Sequence, residues 1–281
     1  MRLLVPALLA LSAAPAAAQT ATTPATEPAQ IPDTAGDRIT VAIGAATVPE
    51  YEGSDENQFI PAAAVIGRGR GIDFFTRGTQ LYVDLAPDGP GPGTNFEIGP
   101  IVAARLDRTN RVDDPQVRAL GKIDTAIELG GFVGVSRTGV ITSDYDVLTA
   151  RVAYLRDVSD THDSFIVTPQ VNYTTPLSTR TLVSIGGSAD YVGRGYGRTY
   201  FSVDGLGSFL SGLPAYDAGR RGWRRFNVQA FALQSLSGDL RRGFGIGAGV
   251  LYGRLLGRYK DSPIVRDADQ WSATAGLTYT F

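Results

Sequence analysis

The sequence predicts an all-β fold, an antiparallel transmembrane β-barrel of about twelve strands, and three observations carry that prediction. Segment after segment alternates apolar and polar residues with a period of two, the mark of a strand whose faces meet different surroundings. The polar faces carry charges of both signs, including Glu97, Arg105, Asp124 and Glu128, which can pair across a hydrated lumen. Aromatic residues collect at strand ends, as Phe165, Tyr173, Trp271, Tyr279 and Phe281 do, where a girdle at the membrane interface needs them.

Taken in order, the chain begins with Arg2, an apolar run from Leu3 to Leu11 and small residues ending in Ala16, Ala17 and Ala18. That is the pattern of a secretory signal peptide over residues 1–18, cleaved before Gln19. Residues 19–37, rich in Thr, Ala and Pro, bury too little to offset ordering entropy and read as a flexible periplasmic leader. From residue 38 to 281 no linker divides the chain, so it reads as one barrel domain.

Alternation places strands near 39–48, 58–67, 79–86, 94–106, 121–135, 144–156, 164–174, 180–191, 198–204, 222–236, 242–256 and 269–281. In 164–174, Phe165, Val167, Pro169, Val171 and Tyr173 oppose Ile166, Thr168, Gln170 and Asn172. In 121–135, Ile127, Leu129, Val133 and Val135 oppose Ala126, Glu128, Gly130 and Gly134. In 242–256, glycines alternate with Phe244, Ile246, Ala248 and Val250, as where an inward face is closely approached. In the last strand Trp271, Ala273, Ala275, Leu277 and Tyr279 face lipid and Ser272, Thr274, Gly276, Thr278 and Thr280 face the lumen. No segment shows a helical period. An even strand count puts both termini at the periplasmic end, which sends 48–57, 205–221 and 255–268 outside and leaves 107–120 in the periplasm.

Composition narrows the function. Lys and Arg number 26 against 28 Asp and Glu, so there is no electrostatic case for nucleic acid as a partner. With no Cys and one His, zinc lacks ligands. Glu50, Glu52, Asp55 and Glu56 offer oxygens to calcium, but a solvated turn with Gly53 at its tightest point is the better reading of them. The glycine-rich stretch before Tyr252 leads into no helix pattern, so it is not a nucleotide loop, and no cofactor is implied. His162 has Asp160, Asp163 and Ser164 as neighbours, but residues of one turn do not line up base and nucleophile, and the chain reads as no enzyme. Arg220, Arg221, Arg224 and Arg225 flank Trp223 and suggest contact with anionic lipid or lipopolysaccharide phosphates.

Three ordered stretches carry a family resemblance: "VPEYEGSDENQFIPAAAV", "TYFSVDGLGSFLSGLPAYDAGRRG" and "YGRLLGRYKDSPIVRDADQWSATAGLTYTF". Through Pro49, Tyr51, Gly53, Ser54, Asp55 and Pro61, then Ser211, Gly212, Leu213 and Tyr216, then Arg254, Asp261, Ser262, Pro263 and Phe281, the chain resembles the MipA/OmpV family of MltA-interacting outer-membrane proteins of Gram-negative bacteria. Two stretches depart from the pattern: "RDADQ" stands where the family has a Gly-Ser pair, and "LDRTNRVDDPQVRALGK" is unusually charged. The resemblance implies a non-enzymatic scaffold in the cell outer membrane, bridging a lytic transglycosylase and a murein synthase. A small-solute channel and a surface adhesin are the alternatives. It further implies that Phe281 is the signal read by the barrel assembly machinery.

Overall fold

The computed structural model describes residues 37–87, 93–110 and 112–281; the expected signal peptide and all but the last residue of the expected leader lie outside the described residues. Twelve antiparallel strands close into a barrel in which β1 (Arg38–Pro49) pairs with both β2 (Asn57–Gly69) and β12 (Asp269–Thr280). Between them run β3 (Ile72–Arg77), β4 (Gln80–Asp84), β5 (Thr94–Arg105), β6 (Ala126–Thr138), β7 (Val147–Asp157), β8 (Phe165–Pro176), β9 (Thr181–Val192), β10 (Gly222–Ser235) and β11 (Gly243–Leu255). Among the described residues four short helices interrupt the connections: α1 (Pro115–Ala119), α2 (Arg194–Phe201), α3 (Gly205–Ser211) and α4 (Gly257–Lys260).

The faces are those of a membrane barrel. Val133, Val152, Val171, Ile185, Val228 and Val250 are exposed on the outside, while Gln170, Asn172, Ser184, Asn227 and Gln229 are buried within. This inverts the arrangement of a soluble protein and matches a wall between hydrocarbon and a polar lumen. Within the lumen, Arg151 pairs with Glu97 at 2.6 Å and lies over the rings of Phe75, Phe132 and Tyr82 at 4.9, 5.2 and 5.8 Å. The guanidinium thus joins ion pairing to cation–π attraction where water is scarce. Glycine permits the wall to bend: a Cβ at Gly99 or Gly130 would stand 1.8 Å from the carbonyl oxygen of Val83 or Tyr154.

The expected strand number holds, but two expected elements do not. The pair β3–β4 is a hairpin turning at Gly78–Thr79, so the segment 72–77 contributes a strand that alternation over 79–86 alone does not reveal. Residues 198–204, expected as a strand, instead span the end of α2 and the short connection to α3. Tyr196, Gly197, Tyr200 and Phe201 are buried at helical spacing, one stripe of a 3.6-residue period. One strand gained and one lost leave the total unchanged and reverse the direction of every strand between them. Loop 106–125 therefore lies at the same barrel end as loops 50–56, 193–221 and 256–268, opposite the end where Arg38 and Phe281 stand. The expectation that 107–120 shares an end with the leader is corrected accordingly.

Candidate functional site: the sealed end of the barrel

The three sequence motifs, far apart in the chain, converge on one end of the barrel and close it. Gly53, at φ +100°, turns loop 50–56 back on itself. Its carbonyl accepts from Arg266 N at 2.7 Å and Asp267 N at 3.1 Å, and its N–H donates to Gln270 Oε1 at 3.0 Å. Gln270 Nε2 donates in turn to the Ser54 and Asp267 carbonyls. Tyr51 donates to the Ile264 carbonyl at 3.3 Å, and its ring packs with Val112, Val117, Val203, Leu213 and Ile264. Ser262 Oγ donates to the Phe201 carbonyl at 2.6 Å, and Tyr216 to the Arg258 carbonyl at 2.7 Å. Gly212 ends α3 in the left-handed conformation, and Ser211 Oγ donates to the Gly207 carbonyl. Hence most motif residues build the cap. Asp55 is exposed beside the turn, Pro49 ends β1, and Arg254 pairs with Asp269 at 2.7 Å near the ends of β11 and β12.

The two stretches that depart from the family pattern face each other. Asp114 caps α1 and accepts from Arg266 Nε at 2.7 Å, and Arg266 also donates to Gln116 Oε1 at 2.6 Å. Glu50 accepts from the Asp113 N–H at 2.6 Å, and Gln116 donates to the Ser211 carbonyl at 3.2 Å. Loop 106–125 is thus stitched to all three motifs.

Beneath the cap a chain of charged and polar groups crosses the lumen. Asp190 on β9 pairs with Arg224 on β10 at 2.5 Å, and Arg224 also binds Glu52, which reaches down from its loop. Arg225 lies 3.5 Å from the same Glu52 oxygen. Tyr196 donates to Glu52 Oε2 at 3.1 Å and accepts from Arg105 at 3.2 Å. Arg105 on β5 then pairs with Glu128 on β6 at 2.7 Å, and Glu128 meets His162 Nε2 at 3.0 Å. Burial alone would raise the Glu52 carboxyl, but Arg224, Arg225 and Arg105 hold it below its ordinary value. Asp107 accepts the Glu52 N–H at 3.2 Å; burial, reinforced by the charge of Glu52, pushes it up to about 6.

Several expected sites change in this geometry. A β-bulge between Trp223 and Arg225 inserts Arg224 into β10, so two consecutive arginines face the lumen, 3% and 4% exposed. They are held by Glu52 and Asp190, so of the four arginines expected at anionic lipid Arg224 and Arg225 are withdrawn into the lumen and only Arg220 and Arg221 are exposed. Period-two reading misses this because a bulge breaks the period. Glu52 turns inward while Asp55 and Glu56 are exposed, so the four carboxylates of that turn do not converge on a calcium site. His162 engages Glu128 and meets the Tyr196 ring edge-on, with ring centroids 5.4 Å apart, and makes no hydrogen bond to Ser164. Asp163 pairs with Arg156 at the surface, so that triad is not assembled. Asp124 lies before β6, outside the wall, whereas Glu97, Arg105 and Glu128 do pair within the lumen.

Solved structures similar to the chain include the COG4313 outer membrane channel from Pseudomonas putida F1, at 11% identity and TM-score 0.45, covering 91% of this chain and 100% of that one. The outer membrane channel DcaP of Acinetobacter baumannii is 10% identical at TM-score 0.38, covering 90% and 100%. The Pseudomonas putida toluene transporter TodX is 9% identical at TM-score 0.37, covering 87% and 88%. None of these likenesses bears on what this chain binds or conducts. No curated protein matches it. The family described as "MltA-interacting protein MipA" matches residues 41–281, the cap and all of the wall but the first residues of β1. With its closed twelve-stranded wall and apolar exterior, the chain is an outer-membrane β-barrel protein and belongs to the MltA-interacting protein MipA family.

Proposed function

We propose that this barrel is a non-enzymatic docking body for periplasmic murein enzymes, a lytic transglycosylase of the MltA kind and a murein synthase, rather than a conduit. The observation that carries the reading is the ion-paired chain from Asp190 through Arg224, Glu52, Tyr196 and Arg105 to Glu128, which crosses the lumen under a packed cap. Solute flux would require breaking buried pairs, which costs several kcal/mol each; a rigid body has no such requirement. The family description supplies the class of partner.

In this reading the end holding Arg38 and Phe281 faces the periplasm and offers the partner surface, formed by the leader and the turns 70–71, 139–146, 177–180 and 236–242. The cap, including 106–125, faces outward, with Arg220 and Arg221 available to lipopolysaccharide phosphates. Phe281, whose N–H donates to the Ile39 carbonyl at 2.9 Å and whose ring lies against Tyr279, serves as the assembly signal. Deleting Phe281 should lower the yield of heat-modifiable barrel in outer membranes; normal yield would remove that role.

The test of the whole reading pairs two measurements on the same preparation. Crosslinking in intact envelopes should recover a murein enzyme, and the purified barrel in planar bilayers should show no steady open-channel conductance. A conducting barrel with no enzyme attached would favour the small-solute channel instead.

A further inference from the structure

A cavity of about 310 Å³ lies inside the wall where β1 and β2 face β10, β11 and β12, at the lower end of the range for ligand pockets. Its inward side chains are mostly apolar, among them Ala42, Ala46, Ala62, Ala64, Leu233 and Leu251, with the hydroxyls of Thr40, Ser272, Thr274 and Thr278 as the polar groups beside them. Elsewhere the lumen carries amides and ion pairs, Arg151 and Glu97 pairing even beside the rings of Phe75, Tyr82 and Phe132, whereas no charged side chain is among those lining this cavity. An apolar void leaves its lining short of contacts and holds water poorly.

Beside the cavity the wall is incomplete. The β2–β3 ladder runs only from Gly69 to Ile66, and Val65 N–H donates to Thr76 Oγ1 at 2.9 Å. The hairpin then turns back at Gly78–Thr79, and from Val65 up to Asn57 no described strand pairs with this edge of β2. Since the Val65 N–H points toward the hairpin, alternation aims residues 63, 61 and 59 at the same edge, and at 61 the residue is proline, which has no N–H to leave unpaired. Consecutive residues from Ile60 to Ile66 all line the cavity although they alternate inward and outward. The cavity therefore meets the strand edge-on and continues through the wall, next to Phe59 on the outer face. Across the cavity stands Ser272, 9% exposed, whose hydroxyl has no hydrogen-bond partner.

We propose that this cavity binds a single hydrocarbon chain, admitted sideways from the bilayer between β2 and the β3–β4 hairpin, with the Ser272 hydroxyl donating to a carboxyl or ester oxygen of the ligand. Hydrocarbon restores the contacts that the void forfeits, and the volume accommodates one chain rather than two.

The test uses the folded full-length protein in nanodiscs with two photoreactive probes, a free fatty acid and a phospholipid, each carrying a diazirine on an acyl chain. Mapped adducts should fall on lumen-facing residues such as Ala62, Ala64 and Leu251 and be displaced by excess oleate. Ala64→Phe should weaken this labelling roughly tenfold, the effect of overfilling a packed site, while adducts on Val133 and Val171 of the outer belt persist. Heat-modifiable mobility reports whether that variant is folded, and the adduct map of the unaltered protein stands without it. Lumenal adducts from both probes identify bilayer lipid as the source, and adducts from the fatty acid alone identify the free acid. Adducts confined to the outer belt with both probes would overturn the proposal.

Discussion

Glu52 carries the sealed end, because one carboxylate serves Arg224, Arg225 and Tyr196 at once. Glu52→Gln leaves two buried guanidinium groups short of a counter-charge, and breaking such a pair costs about 3–5 kcal/mol. We expect the midpoint of thermal unfolding, read by heat-modifiable mobility, to fall clearly, whereas Asp55→Asn at the exposed side of the same turn leaves it unchanged. An equal midpoint in the Glu52 variant would show that the network bears no load. Asp107 next to it gives a pH signature. Its folded value is raised from 3.8 to about 6, so between those values the folded chain holds a proton that the unfolded chain has lost. Its contribution is complete below the unfolded value, falls as pH rises to about 6, and amounts to an effect on the order of 3 kcal/mol. The depressed carboxyls Glu52 and Asp114 act oppositely, losing their contribution as pH falls below their unfolded values of 4.5 and 3.8. Asp107→Asn should therefore flatten the decline between about pH 4.5 and 6 without altering the acid limb. A profile identical to that of the unaltered protein would contradict the assignment.

At the scale of elements, the wall was legible in the sequence and the cap was not. Alternation located eleven of the strands because lipid and lumen impose opposite preferences on successive residues. It failed on β3, six residues long and folded against a still shorter partner, and on α2, whose buried aromatic stripe faces a cap rather than lipid. It failed again at the bulge, where Arg224 and Arg225 both turn inward. The family motifs were visible in the sequence, but their role was not, since Tyr51, Leu213 and Ile264 meet only after strands far apart in the chain are paired. Leu213→Ala should cost about 2–5 kcal/mol locally. We expect new protease cleavage within 193–221 while the barrel itself keeps its heat-modifiable shift. Loss of the barrel along with the cap would mean that the two do not unfold separately.

For the whole molecule, the two ends differ in kind. One end is sealed by three motifs and a charged layer. The other holds Arg38, Phe281 and short turns, and the docking reading takes it as the periplasmic end and places its partner there. Loop 106–125 belongs to the sealed end, so in that reading it is no periplasmic contact surface, and the contact is proposed for the leader and the opposite turns. The most direct measurement is site-specific photocrosslinking in intact envelopes, with the photoreactive group placed in turn in the leader, in turn 236–242 and in the cap at Asp261. We predict that a lytic transglycosylase is recovered from the first two positions and not from the cap. Recovery from the cap alone, or no murein enzyme from any position of a correctly assembled barrel, would contradict the account.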